Sequence, residues 1–406
     1  MTNDTDTEAA FDQVTAQQLR ALGWEKWSHY PPDVLPAHVA EMDFGTAPAV
    51  TQALHQGAAG AGLGYLSRTR AEVLSQACAE YQATQFGWQV DPAAVRPVTD
   101  VMRSLHLAIE YFTEPGSPVV VPTPTYFGLV ATPPEMGRRR IDVPLVPGPD
   151  GPTFDEAGLL DAVHQGAGMI LLCSPHNPIG RVWRQADLAI LERVVERTGA
   201  LVFADEIHSP LVFPGQGVRH QPFAALSEVA AAHTITAVSA AKGWNIPGLK
   251  CAQVIFTNPD HLARWRALNL EEHSAPSTMG ALANVAAYRE GQPWLDRVLA
   301  YLQANRDWLA AQLATRAGRI GHRPPEATYL AWLDVRGLGL GPDLAPDADP
   351  LWRQPGRYFL TQAKVALTDG AAWGTGGAGH VRLNFATPRP VLKQIVDRLV
   401  AALPSQ

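Results

Sequence analysis

The sequence predicts an α/β chain: a large domain built on a mostly parallel sheet with helices on both faces, followed by a smaller α+β domain. Three observations carry that prediction. Short, almost uninterrupted apolar runs recur between longer helical patterns, as strands buried on both faces require. Polar clusters stand just beyond the carboxyl ends of those runs, where open parallel sheets place ligands. From about residue 291 the alternation gives way to one long helical stretch and then separate strands.

In chain order, residues 1–50 read as an N-terminal arm belonging to the small domain or a dimer contact, rich in proline and aromatics and without clear periodicity. Residues 51–290 read as the large domain. Within it, Val119-Val120-Val121 is a strand stopped by Pro122-Thr123-Pro124-Thr125, with Tyr126 next. Met169 to Cys173 is a second strand, stopped by Ser174-Pro175. Gln185 to Thr198 is an amphipathic helix with Leu188, Leu191, Val194 and Val195 on one face and Gly199 as its stop. Leu201 to Ala204 is a strand running into Asp205, and Thr234 to Val238 and Gln253 to Phe256 are two more. Residues 291–406 read as the smaller domain. It has a helix from Trp294 to Leu313, strands at Tyr329–Leu333 and Val381–Phe385, and a Pro/Gly/Asp-rich connection from Gly337 to Pro350.

Composition narrows the function classes. The chain has 406 residues, 46% of them hydrophobic, so a large core is available. Its formal charge of −7, with no long basic run, argues against nucleic acid or an anionic membrane as partner. No stretch reaches the roughly 20 apolar residues of a membrane span. The polar, acidic start lacks the order of a secretory signal, so the cytoplasm is expected. Cys78, Cys173 and Cys251 are widely spaced and read as buried reduced thiols. The 13 histidines show no metal-ligand spacing, so no metal is expected. Of 32 basic residues only five are lysines, Lys26, Lys242, Lys250, Lys364 and Lys393, so chemistry needing a primary amine has few candidates.

The candidates follow the strand ends. Lys242, in Ser239-Ala240-Ala241-Lys242-Gly243-Trp244-Asn245, comes just past a buried strand, where lost solvation would lower its pKa and free the amine as a nucleophile. Alone, it is equally compatible with a solvated loop lysine. Asp205 follows four apolar residues and needs a partner; a protonated pyridine nitrogen would serve, and so would a helix N-terminus or an ion pair. Asn177 lies between Pro175 and Pro178, which aim its amide at a phenolate-like oxygen or simply make a turn. Tyr126 could stack on a flat ring or pack in the core. Arg382, mid-strand between Val381 and Leu383, suits a carboxylate or an internal salt bridge. Gly374, Gly376 and Gly379 match the G-x-G-x-x-G spacing, but a strand follows them and none precedes, so a nicotinamide site finds no support.

Taken in order, Asn-Pro-x-Gly, Asp-Glu-x-His and Ser-x-x-Lys resemble the fold-type I pyridoxal-phosphate (PLP) enzymes of aminotransferase class I/II. The likeness is closer still to the MalY/PatB group of cystathionine β-lyases. It rests on Ala40-Glu41-Met42-Asp43-Phe44, Gly64-Tyr65, Leu171 to Pro178, Asp205-Glu206-Ile207-His208, Lys242 to Pro247, Thr328 to Asp334 and Val381 to Asn384. The resemblance implies that Lys242 holds the cofactor as a Schiff base, that Asp205 pairs with its pyridinium, and that Asn177 and His208 bind its O3′. Tyr126 would stack on the ring. Ser239, Lys250 and the backbone of Val101 and Met102, opening a helix from Met102 to Phe112, would hold the phosphate. Arg382 would bind the substrate carboxylate, and Tyr65 would reach the phosphate of the other subunit in a homodimer with a shared site.

Three departures from the family pattern stand near the phosphate. They are Ala241 for a common serine, Asp100 for a common glycine, and Lys250 for a frequent arginine. Asp100 is expected to repel phosphate unless turned away. The implied activity is α,β-elimination on an L-cysteine S-conjugate such as cystathionine. An aminotransferase using the same residues is the alternative, and a regulatory binding protein is a third reading.

Overall fold

The computed structural model describes residues 11–60, 63–268, 275–342 and 350–404. Seven strands form the central sheet: β1 (Val95–Val98), β2 (Val119–Thr123), β3 (Arg140–Pro144), β4 (Met169–Cys173), β5 (Leu201–Asp205), β6 (Thr234–Val238) and β7 (Ala252–Phe256). Their order is β1-β7-β6-β5-β4-β2-β3. β3, β2, β4, β5 and β6 pair in parallel, while β7 runs antiparallel to both of its neighbours. Strands β2, β4, β6 and β7 are buried along their whole length. That is why they read as unbroken apolar runs rather than alternating ones.

The two faces of the sheet feed two separate cores. In β4, Met169, Leu171 and Cys173 join the cluster holding Leu105, Ile109 and Phe112 of helix α1 (Val101–Phe112). Ile170 and Leu172 join Leu188, Leu191, Val194 and Val195 on the far side, the inner face of helix α3 (Gln185–Thr198). The period of two in a strand divides the residues this way. Asp187 caps α3 through the Arg184 backbone N–H, 2.8 Å away, and Gly199 ends the helix at φ 70°, where glycine carries no Cβ penalty. Between α1 and α3 lies the short helix α2 (Phe127–Glu135), which starts directly after Tyr126.

The expected strand at Val119–Val121 extends two residues further, through Pro122. The residues of β2 alternate between neighbours, and beyond Val120 none is paired with β4. The Val119 N–H and the Thr123 carbonyl bond on the β3 side, so Pro122 points its missing N–H at the unpaired side.

Beyond helix α4 (Gln292–Arg316) a four-stranded antiparallel sheet follows. Its strands are β8 (Gly321–His322), β9 (Leu330–Asp334), β10 (Thr368–Asp369) and β11 (His380–Asn384), in the order β8-β9-β11-β10. Of the connection expected from Gly337 to Pro350, residues 343–349 lie outside the described residues. Among the described residues no helix is long and apolar enough to cross a membrane.

The N-terminal segment pairs with residues of the C-terminal part of the chain. Leu35–Pro36 pairs in parallel with Val365–Ala366, and Asn384 of β11 donates through Nδ2 to the carbonyls of Val39 and Glu41 at 2.6 Å each. Lys26 is one of the most buried side chains, and its Nζ lies 2.8 Å from Asp43 Oδ2. Asp43 Oδ1 also accepts from Trp27 Nε1 at 2.8 Å. This pair fixes the segment that walls the cavity described next. Asp43→Ala leaves a buried ammonium and a buried indole N–H without a carboxylate, and should destabilise the protein by about 3–5 kcal/mol in denaturant melts. A loss within the roughly 0.5 kcal/mol typical of surface changes would show that the pair fixes nothing.

Candidate active site

A cavity of about 500 Å³ opens at the carboxyl ends of the parallel strands. Four of the parallel strands deliver polar groups to it. Tyr126 follows β2, Asn177 follows β4, Asp205 ends β5, and Ser239 and Lys242 follow β6. Because β7 is antiparallel, Lys250, two residues before it, arrives at the same end. Asp100, Val101 and Met102 bring the N-terminus of α1 to the wall, and Arg382 reaches in from β11. The structure therefore brings ten of the eleven sequence-predicted site residues to one cavity. Tyr65 is the exception: it is fully exposed and lies beside Leu63 on a separate surface groove.

The charged groups are buried and poorly compensated. Lys242 Nζ donates to the Ala40 carbonyl at 2.8 Å, and its pKa is pushed down to about 8, mainly by loss of water and next by the Arg382 charge. Asp205 is buried at the end of β5. One carboxylate oxygen accepts from the Ile207 N–H at 3.2 Å, and burial pushes its pKa up to about 6 against the pull of that bond and of Lys242. Arg382 donates to the His38 carbonyl at 2.7 Å and to Asn177 Oδ1 at 3.2 Å, and its guanidinium stands 4.6 Å over the Trp373 ring. Burial lowers its pKa to about 10. Among the described residues, none of these three groups forms a salt bridge, so the internal salt bridge allowed for Arg382 is not formed. His208 is pushed down to about 3 by burial and then by the Lys242 and Arg382 charges, so it is neutral; its Nδ1 has no partner among the described residues.

The end of the cavity expected to take a phosphate differs in detail from expectation. Helix α1 opens at Val101, one residue earlier than predicted, and Asp100 is its N-cap, accepting from the Arg103 N–H at 2.7 Å. The other Asp100 oxygen is 3.1 Å from Lys250 Nζ. Ser239 Oγ already donates to the Cys251 carbonyl at 2.7 Å and accepts from the Ala241 N–H at 3.0 Å. Its hydrogen must turn before it can serve an anion.

His38 and Thr368 also line the cavity, and Trp373 lies beneath Arg382; none was singled out from sequence. His38 lends its carbonyl to Arg382, Thr368 Oγ1 lies 3.5 Å from the same guanidinium, and Trp373 supplies its aromatic floor. The glycine cluster held the signal for Trp373. Gly374 sits at φ 82°, and a Cβ there would fall 2.5 Å from Thr123 Cγ2, so these glycines seat a loop against the end of β2. The three cysteines are buried and free, with burial raising each thiol pKa.

An electron-poor aromatic aldehyde bearing a phosphate fits this donor set. The cavity offers an unprotonated-prone amine, an unpaired acid, an orphaned imidazole nitrogen, and a cation beside a helix N-terminus. Comparisons with known proteins agree. The model of the family described as aminotransferase class I and II matches residues 33–399. The chain is 35% identical to the cystathionine beta-lyase of Corynebacterium glutamicum, over 95% of this chain and 98% of that one. It is 32% identical to the cystathionine beta-lyase PatB of Bacillus subtilis, over 91% and 93%. A solved structure from Corynebacterium diphtheriae, provisionally described as a PLP-dependent beta-cystathionase, superposes with a TM-score of 0.87 at 38% identity, covering 96% of this chain and 98% of that one.

The buried acid has a stability consequence. An acid whose folded pKa is raised binds protons more tightly in the folded state, so its ionisation destabilises the fold as pH rises from 3.8 toward and past about 6. That interval corresponds to about 3 kcal/mol. Cofactor-free Asp205→Asn should therefore be more stable than the cofactor-free parent at pH 7.5 by up to about that amount, with the gap closing as pH falls below 6. Thermal melts at the two pH values check this, and a less stable variant at pH 7.5 would contradict it.

Proposed function

This chain belongs to the aminotransferase class I and II family, and from that membership we propose that it is a PLP-dependent carbon–sulfur β-lyase. Its substrates are L-cystathionine or related L-cysteine S-conjugates, and with water it yields a thiol, pyruvate and ammonia. The observation that carries the reading is the buried, carbonyl-held amine of Lys242, lowered to about 8, facing a cavity that also holds Asp205.

PLP when bound supplies the electron sink that eases loss of the Cα proton and departure of the thiolate from Cβ. The residues that would hold it are Lys242 at its aldehyde carbon, Asp205 at its ring nitrogen, Asn177 and His208 at its phenolic oxygen, and Tyr126 over its face. Ser239, Lys250 and the Val101–Met102 backbone would hold its phosphate. Asp205 suits its place because a buried carboxylate short of hydrogen bonds is stabilised by a cationic partner. Neutral His208 can donate without adding charge.

Arg382 orients the substrate by its carboxylate. The guanidinium is fixed by Asn177 and the His38 carbonyl but stays unneutralised, so a carboxylate entering the cavity gains a full charge-assisted pair. Lys242 Nζ is the group that takes the Cα proton. A pKa near the working pH suits a group that must accept and return a proton. We further place the protein in the cytoplasm, in keeping with its three free buried thiols. We propose it as a homodimer in which the exposed Tyr65 of each subunit completes the phosphate end of its partner's cavity.

Incubation with cystathionine and no keto acid should release equal amounts of thiol and pyruvate, and Lys242→Ala should lower that rate by several orders of magnitude and abolish visible absorbance. Turnover only when a keto-acid acceptor is added would instead establish an aminotransferase, and near-parental activity of Lys242→Ala would remove the lysine from the chemistry.

A further inference from the structure

We propose that Asp100 is a gate on cofactor entry: its carboxylate holds the α1 N-terminus and Lys250 in the cofactor-free protein, competes with the incoming phosphate for both, and so sets how tightly the phosphate end grips. The inference rests on the PLP reading above and concerns Asp100, which that reading leaves unexplained, and its effect on Lys250.

One end of the cavity has the features of an anion site. The N-terminus of the 12-residue helix α1 lies there with its first N–H groups, and Lys250 brings an ammonium to its N-cap. Both are already engaged by one carboxylate. Asp100 Oδ1 accepts from the Arg103 N–H at 2.7 Å, and Oδ2 lies 3.1 Å from Lys250 Nζ. Asp100 thus does within the protein what a phosphate would do from outside. Lys250 is placed for this contact by its backbone, at φ 49°, an uncommon conformation for a residue with a side chain.

The pair is easily opened. The Lys250 and Asp100 side chains retain 61% and 32% of their exposure, and ion pairs so open to water are weak. A phosphate can therefore take Lys250 from Asp100 without disturbing the core. The carboxylate nevertheless remains at the helix N-terminus as a like charge beside the phosphate, which weakens the grip. Asp100 and Lys250 form one unit: the acid lowers affinity for the anion, and the lysine it releases restores part of it.

Spectroscopic titration of the cofactor-free full-length protein with PLP, and in parallel with pyridoxal, which lacks the phosphate, tests this. Asn and Ser both keep a helix cap, so Asp100→Asn and Asp100→Ser preserve the local fold. Both should bind PLP roughly tenfold or more tightly than the parent, while pyridoxal binding stays unchanged. Lys250→Met should weaken PLP binding, and by a larger factor in the Asp100→Asn background, where the ammonium is no longer shared. Inorganic phosphate should compete with PLP at lower concentration in Asp100→Asn. Unchanged or weaker PLP binding by both Asp100 variants overturns the inference, as does an equal change with pyridoxal. If the parent itself binds neither compound, the PLP reading falls first, an outcome distinct from the other two.

Discussion

The site depends on keeping charges buried without neutralising them. Lys242, Asp205 and Arg382 all line one cavity and none is paired with an opposite charge among the described residues. Desolvation is the largest cause of each shift, and each shift moves the group toward its neutral form. A protein selected only for stability would pair or replace such groups. Here the cost is carried by the extensive apolar packing on both faces of the sheet. What results is an amine that deprotonates near neutral pH, an acid in need of a cation, and a guanidinium in need of a carboxylate. Each unmet requirement is one that a PLP–amino-acid complex would meet under the proposed function.

Sheet topology brings these groups together. Parallel strands end at one edge of the sheet, so residues far apart in sequence that follow strand ends become neighbours. Cys173 stands opposite Asp205 in register, and Asp205 opposite Ala237, which sets the loops carrying Asn177, His208 and Ser239 side by side. The single antiparallel strand serves the same end by reversal. Because β7 runs the other way, the residues before it, rather than after it, reach the cavity, and Lys250 is among them.

This arrangement explains what was legible in the sequence. Met169–Cys173, Thr234–Val238 and Gln185–Thr198 have the bounds their periodicity predicts, because burial on two faces or one stripe leaves a direct imprint on composition. The candidates following strand ends could be found for the same reason. Contributions made through backbone could not. The carbonyls of His38 and Ala40 act regardless of side-chain identity, so no residue type announces them. The commitment of Ser239 Oγ to Cys251, the burial of Lys26, and the pairing of Asp100 with Lys250 are equally tertiary facts. The glycines near 374 illustrate a subtler limit: their spacing imitates a nucleotide-binding loop, while their role is to let a loop and Trp373 approach the end of β2.

The choice of backbone carbonyls as partners has a chemical reason. A carboxylate 2.8 Å from Lys242 would hold the amine well, but it would also stabilise the ammonium and raise its pKa, suppressing the nucleophile. The Ala40 carbonyl orients the same amine with a dipole only, and Tyr329 Oη donates to that carbonyl too, at 2.9 Å, fixing its direction. Likewise the His38 carbonyl aims Arg382 without spending its charge, which stays available to a substrate carboxylate. These carbonyls belong to the N-terminal segment, and their positions depend on Asn384 holding Val39 and Glu41 and on the Lys26–Asp43 pair beneath them. Here a buried salt bridge is useful for what it positions. It compensates two charges fully in the structural layer, so that the layer above can leave its own charges open for chemistry.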